Sequence, residues 1–189
     1  LVGVLYFVVA KVTLAQPLGQ FFKNVRELLL LSFSTSSSAA VMPITLQVVE
    51  DKLLVSSEIA RFLVPLGATI NMTGTALYQG VATVFLAQVF NVDLSLSSYF
   101  FIVTMSVAAS IGSPATPGAG IIILSMVLEG VGIPAAGIAL ILGVDRILDM
   151  LRTSVNVLGD VVACTTVQYF THHRSSPEKP TLIVEKKLE

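Results

Sequence analysis

Between Ile138 and Gln168 an apolar sequence, IALILGVDRILDMLRTSVNVLGDVVACTTVQ, carries Asp145, Asp149, Arg152, Asn156 and Asp160 at steps of four, three, four and four. Read as one helix, that spacing puts all five on one face of an otherwise apolar cylinder. Such a face cannot meet lipid, because an ionised side chain at bilayer depth costs roughly 2.5–3.5 kcal/mol on insertion scales. The stripe must turn into a bundle. Three acids, two bases counting Arg146, and an amide in one span exceed what packing needs; the alternative is a set of internal ion pairs that only fixes helix packing.

The rest of the chain agrees with a membrane setting. Of its 189 residues 54% are apolar and 12% charged, with a mean hydropathy of +0.85, against about 25% charged in soluble domains. The net charge of −1 gives no sign of a nucleic-acid partner. Cys164 is the only cysteine, which excludes an internal disulfide and a thiolate metal cluster. The opening run LVGVLYFVVAKVTLA has no basic n-region or cleavage-site pattern and reads as a truncated transmembrane helix over 1–15 of a longer chain, not as a signal peptide.

Short apolar limbs follow. Gln16 to Arg26 reads as a loop, Phe21 to Phe33 as a helix, Ser34 to Ser38 as a serine tip, and Ala39 to Val49 as a second limb. Neither limb is long enough to span, so hairpin 1, about 20–50, is expected to be re-entrant. The segment 56–91 is expected to be a discontinuous helix, broken at Asn71-Met72-Thr73-Gly74-Thr75. Hairpin 2, 97–130, turns at Gly112-Ser113-Pro114-Ala115-Thr116-Pro117-Gly118-Ala119-Gly120, where two prolines and three glycines stop a helix. The last helix takes 133–170, and 171–189 is a polar tail in which His172 and His173 read as solvated residues, not ligands. The expected fold is all-α and integral to the membrane, with two re-entrant hairpins, a discontinuous helix and a long one, in a twofold (inverted) repeat of architecture around a core of 16–170. Lys23, Arg26, Lys52 and Arg61, then Arg174, Lys179, Lys186 and Lys187, place the first hairpin and the tail in the cytoplasm; the second hairpin faces out.

A zwitterionic acidic solute needs a carboxylate for its ammonium, a guanidinium for its side-chain carboxylate and neutral donors for its α-carboxylate. Asp149, Arg152, Thr153 and Asn156 offer these on successive turns, with Arg able to fork onto a carboxylate. Sodium needs hard oxygens, and Asp160, the side chain of Asn71 or Asn156, and carbonyls freed at Gly67–Met72 and Ser110–Ser113 are candidates. A membrane enzyme using Asp149 or Asp160 as acid or base is disfavoured: the apolar region has no His, no Ser-His arrangement and no HExxH.

Four ordered motifs, SerSerSer at 36–38, NMTGTALYQG from Asn71, ASIGSPATPGAG from Ala109 and VDRILDMLRTSVNVLGD from Val144, resemble the cation-coupled glutamate/aspartate transporters, the dicarboxylate/amino acid:cation symporter family. The resemblance covers all but the tail. It implies an elevator-type transport domain, with the second hairpin as outer gate, sliding in the plasma (inner) membrane against a scaffold that assembles a homotrimer and is not in this sequence. It implies that Asp149 binds the substrate amino group, Arg152 the side-chain carboxylate, and Asn156, Thr153 and Ser38 the α-carboxylate. Ser36, Met72, Thr75, Thr116 and Gly120 complete the substrate set. One sodium site is implied at Gly67, Asn71, Asn156 and Asp160, a second at Thr69, Met72, Ser110, Ile111 and Ser113.

Three departures from the family pattern stand out. Thr73 takes the place of an aspartate that resembles the centre of a third sodium site, which puts the coupling stoichiometry in question and leaves room for a proton in part. The first tip lacks the arginine of several prokaryotic members, and Arg146 is expected to pair with Asp145 or Asp149, either tuning the site or serving as an ordinary internal ion pair. The scaffold helices and the earlier helix that would share the third cation site are missing. Members for C4-dicarboxylates have no carboxylate at the position of Asp149, and members for neutral amino acids lack the arginine, so the resemblance implies aspartate or glutamate as substrate, coupled to sodium. A C4-dicarboxylate or proton-coupled symporter, an anion pathway, or a transport-inactive fragment are the alternatives.

Overall fold

The structure, a computed structural model, describes residues 2–13 and 17–174. Among the described residues it is all-helical. α1 (Val2–Thr13) is followed by α2 (Leu18–Thr35), α3 (Ser38–Gln47) with a π-helical turn Val48–Lys52, α4 (Ser57–Ile70), α5 (Thr73–Val89), α6 (Leu96–Ser110) and α7 (Ala119–Gly130). A 3-10 turn, Ala135–Leu140, then leads into α8 (Leu142–Arg174).

α8 is the central element and packs on α1, α2, α3, α4 and α5. Its lower-numbered end, through Leu148 and the preceding Ile141, joins an apolar cluster with Leu86, Leu124, Leu128 and Ile133. Its later turns, Val157, Val161 and Cys164, join a second cluster with Phe21, Val25, Leu28, Val41 and Val64. The polar residues Asp149–Asn156 fall between these two anchors. Fixing the helix on either side of the stripe holds the stripe itself in register.

Several elements differ from the sequence expectation. α2 begins at Leu18, inside the segment read as a loop, because Pro17 accepts from the amides of Gln20 and Phe21 and because Phe21, Val25, Leu28 and Ser32 bury one continuous helical face. The serine tip contracts to two residues. Ser36, left-handed at φ 51°, closes α2 by donating its amide to Ser32, and Ser37 opens α3 by accepting from the amide of Ala40. The break in the second segment is also shorter, Asn71–Met72, since Thr73, Gly74 and Thr75 already form the first turn of α5. Ile138–Leu140 belong to the 3-10 turn, where Gly137 lets the Phe90 ring close against the backbone, and α8 starts only at Leu142. At its other end α8 includes Thr171–Arg174, read above as tail; the tail from residue 175 lies outside the described residues.

The surface is apolar where a soluble protein's would be polar: Leu77, Val81 and Phe85 on α5, Phe100, Val103 and Val107 on α6, and Val144, Ile147 and Leu151 on α8 are all exposed, while Asp145, Asp149, Arg152 and Asp160 are buried. Among the described residues no helix is long and apolar enough to cross a membrane. α8 has the length, at 33 residues, but it carries the charged stripe.

Candidate functional site

The five striped residues of α8 are all buried. Asp149 and Arg152 meet as an internal pair: Arg152 Nη2 and Nε lie 2.8 and 2.9 Å from Asp149 Oδ1. The other carboxylate oxygen, Oδ2, accepts from the amide of Gly118 at 3.0 Å, which brings the tip of the α6–α7 hairpin onto α8. Gly118 sits at φ 80°, a conformation that glycine adopts freely, and it presents that amide at the start of α7. On the other side the Tyr78 ring centroid lies 4.7 Å from Arg152 Cζ, and its hydroxyl donates to Asp145 Oδ1 at 2.7 Å. Gly120 is covered by the guanidinium, so closely that a Cβ there would fall on Arg152. Arg152 Nη1 has no partner and is buried.

Expected pairs involving Arg146 do not form. Arg146 is exposed, and Asp145 is taken by Tyr78, because consecutive residues on a helix face different ways.

Around the Asp149–Arg152 pair lies a cavity of about 20 Å³. That is room for about one water. All ten residues read from the sequence as substrate-binding line it: Ser36, Ser38, Met72, Thr75, Thr116, Gly120, Asp149, Arg152, Thr153 and Asn156. Its roof is made of the two hairpin tips, joined where Ser37 Oγ donates to the Ala115 carbonyl at 2.7 Å. Ser36 Oγ, like Arg152 Nη1, is buried without a partner, so the cavity wall presents one unpaired hydroxyl and one unpaired guanidinium nitrogen. Larger grooves of about 530 Å³ run beside α5; their walls are mainly apolar, with Tyr78 and Arg152 at one and Thr73, Tyr99 and Ser106 at the other, and neither is lined by a carboxylate.

Asn156 holds the start of α5 and the residue before it. Its Oδ1 accepts from the Gly74 amide at 2.7 Å, and its Nδ2 donates to Thr75 Oγ1 at 3.1 Å and to Met72 Sδ at 3.3 Å. A Cβ at Gly74 would lie 2.6 Å from the Arg152 carbonyl, so glycine is what lets α5 approach this closely.

The residues read as sodium ligands gather in two places. Asp160 is packed on Gly67, where a Cβ would fall on the carboxylate, and its Oδ1 accepts from Asn71 Nδ2 at 2.9 Å. Thr69, Ser110, Ile111 and Ser113 come together where Gly112 donates to the Thr69 carbonyl at 2.9 Å and Ser113 to the Ser110 carbonyl at 3.2 Å. Asn71 Oδ1 accepts from Thr73 and Asn156 Oδ1 from Gly74, which leaves each amide oxygen one further acceptor site. Met72 is on the substrate side, at the cavity wall. A buried carboxylate cradled on glycine at one place, and the main-chain carbonyls of Thr69 and Ser110 at the other, are hard oxygen donors of the kind that suits a monovalent cation such as sodium. Among the described residues no group of three His, Cys, Asp or Glu forms a metal cluster.

Sequence reasoning missed Tyr78 and Gln79. Gln79 is fully buried and donates to the Gly120 carbonyl at 2.8 Å, tying α7 to α5 beside the guanidinium. Both were legible in principle, since they stand three and four residues after Thr75 and so share its face. Ala115 and Gly118 act through backbone groups and leave no side-chain signal.

Comparison with known proteins places this arrangement among membrane transporters. The chain is 42% identical over 153 residues to excitatory amino acid transporter 1 of Ambystoma tigrinum, 81% of this chain and 28% of that one. It is 41% identical over 169 residues to excitatory amino acid transporter 4 of Rattus norvegicus (89% and 30%), and 44% identical over 149 residues to excitatory amino acid transporter 3 of Oryctolagus cuniculus (79% and 28%). It thus spans under a third of the length of these relatives. The model of the sodium:dicarboxylate symporter family matches residues 1–170, and the chain belongs to that family. The family and these relatives are transporters, not enzymes, and membership implies a membrane location.

Proposed function

We propose that the chain is the substrate- and cation-binding part of a secondary carrier that moves an acidic amino acid, aspartate or glutamate, together with sodium. The observation that carries this reading is the buried Asp149–Arg152 pair, with Arg152 Nη1 and Ser36 Oγ unpaired, at a cavity roofed by two hairpin tips.

A cavity of about 20 Å³ does not hold an amino acid, so entry requires the pair to part. Breaking a buried pair leaves charges uncompensated, at roughly 3–5 kcal/mol for a partner removed. A solute with both an ammonium and a side-chain carboxylate restores each: the ammonium takes Asp149 and the carboxylate takes the Arg152 fork. A dicarboxylate without an amino group leaves Asp149 unpaired, and a neutral amino acid leaves Arg152 unpaired. Selectivity for an acidic amino acid follows from that double requirement. Ser36, Ser38, Thr153 and Asn156 line the wall against which the α-carboxylate is placed, with Thr75, Met72, Thr116 and Gly120 shaping the rest.

Because the Gly118 amide rests on Asp149, a substrate at Asp149 also acts on the α6–α7 tip. That link makes this hairpin the gate. Residues Gly67, Asn71, Asn156 and Asp160 are assigned to one sodium and Thr69, Met72, Ser110, Ile111 and Ser113 to a second, the ligands other than the Asp160 carboxylate being chiefly carbonyls. Sodium bound there supplies positive charge that neutralises a buried carboxylate during the crossing. The α2–α3 and α6–α7 hairpins are read as re-entrant, the α4–α5 pair as a discontinuous span, and the whole as an inverted-repeat transport domain moving by an elevator motion against a trimeric scaffold, with the C-terminus cytoplasmic in the inner membrane.

Uptake of radiolabelled aspartate by proteoliposomes under an inward sodium gradient tests the reading. Accumulation that disappears when choline replaces sodium is expected. Accumulation that is indifferent to sodium would contradict the coupling.

A further inference from the structure

Three hydrogen bonds outside the substrate cavity form one directed chain. Tyr6 Oη of α1 donates to Thr73 Oγ1 at 2.9 Å, Thr73 Oγ1 donates to Asn71 Oδ1 at 2.9 Å, and Asn71 Nδ2 donates to Asp160 Oδ1 at 2.9 Å. These groups come from three separated parts of the sequence: α1, the junction of α4 and α5, and α8. Two glycines make room for them. A Cβ at Gly159 would fall on Tyr6 Oη and Asn71 Nδ2, and one at Gly67 on the Asp160 carboxylate.

The direction of the chain is fixed by proton count. A hydroxyl has one proton to give. When Tyr6 spends its proton on Thr73, the threonine oxygen is occupied as an acceptor and its own proton goes to Asn71 Oδ1. The amide is then held with its NH₂ toward Asp160. The reversed amide would set Oδ1 against the carboxylate, acceptor facing acceptor.

We propose that Tyr6, through Thr73 and Asn71, is a positioning residue for the Asp160 carboxylate, and that this hydroxyl relay sets the affinity of the cation site at Asp160. This rests on the reading above that Asp160 holds sodium. The relay gives the carboxylate a neutral donor on one oxygen and holds its orientation, leaving the other oxygen for the cation. It also makes α1 part of the cation site without contributing a ligand. Thr73 then has a defined role, because its hydroxyl must both accept and donate, which neither valine nor a carboxylate does.

The test is a sodium titration of the thermal unfolding of the purified protein in detergent, with choline keeping ionic strength constant. The wild-type protein is stabilised by sodium, and Asp160→Asn, which leaves the second assigned site intact, raises the sodium midpoint further than any loss of a relay hydroxyl. Tyr6→Phe, which keeps the ring and its packing, shifts the sodium midpoint roughly three- to tenfold higher, the effect of one lost net hydrogen bond. Thr73→Val does the same, and Thr73→Ser, which keeps the hydroxyl, stays within about twofold of wild type. Should Tyr6→Phe fail to fold, the Thr73 pair carries the comparison. A lowered unfolding temperature at every sodium concentration, with an unmoved midpoint, would make the relay merely structural and overturn the proposal. If sodium does not stabilise the wild type, or stabilises Asp160→Asn with an unmoved midpoint, the assignment of Asp160 fails first and takes the relay's role with it.

Discussion

Asp149 Oδ1 accepts two donors from one side chain, Nε and Nη2 of Arg152, while Nη1 of the same guanidinium is left buried and unpaired. The two residues stand three apart on α8, so the pair is formed within one turn and needs no other element to hold it. A pair closed inside one helix opens by side-chain rotation alone. The ligand's two charges then take the places that the partners gave each other, and the helix does not have to move.

Arg152→Cys removes the fork and leaves Asp149 able to take an ammonium. Binding of aspartate in sodium buffer is expected to fall by at least about 100-fold, the scale of a buried charge left unpaired. Alanine or serine should gain access. Unchanged aspartate affinity in this variant would overturn the role given to Arg152.

Gly120→Ala places a methyl group where the guanidinium lies. The guanidinium must then leave its stacking position, and the Gln79 bond to the Gly120 carbonyl is disturbed with it. Aspartate affinity should drop roughly tenfold or more, consistent with about 1–3 kcal/mol for overpacking. Wild-type affinity would mean that Arg152 does not use this surface.

At Gly67 the same substitution acts on the cation side. A methyl group falls on the Asp160 carboxylate, so Gly67→Ala is expected to weaken sodium-dependent stabilisation strongly while a sodium-independent measure, the helix content by circular dichroism, stays near wild type. An unmoved sodium titration would separate Gly67 from the site.

Thr73→Asp puts a second carboxylate, half-buried, beside Asn71, the residue that bonds Asp160. It can accept from Tyr6 but has no proton for Asn71 Oδ1, and a second carboxylate near the buried Asp160 calls for more positive charge. Sodium dependence of aspartate binding should become steeper than in the wild type. A superimposable sodium curve would argue against any further cation at this position.

Much of the site was legible because α8 writes it in side chains. Charged residues in apolar sequence at steps of three and four have one physical outcome, and Asp149, Arg152 and Asn156 do share the cavity wall. The helix breaks fall inside the segments read as tips but are shorter: Thr73–Thr75 and Ser38 look like linker residues, yet Thr73–Thr75 open α5, where the Gly74 amide and the Thr75 hydroxyl meet Asn156, and Ser38 opens α3 behind the Ser37 cap. Arg146 was misread because charge alone suggested a partner, whereas its angle around α8 takes it to the surface. The Tyr6 relay could not be read at all. It joins residues 67 apart in sequence through hydroxyls that look ordinary one at a time.

The most direct measurement is competition for labelled aspartate bound to the purified protein in sodium buffer, using unlabelled aspartate, succinate and alanine. Succinate lacks the ammonium that Asp149 requires, and alanine lacks the carboxylate that Arg152 requires. Aspartate should displace the label at least about 100-fold better than either, as expected when each leaves one buried charge unpaired. Displacement by succinate or alanine as effective as by aspartate would contradict the double requirement, and with it the assignment of this pair as the substrate site.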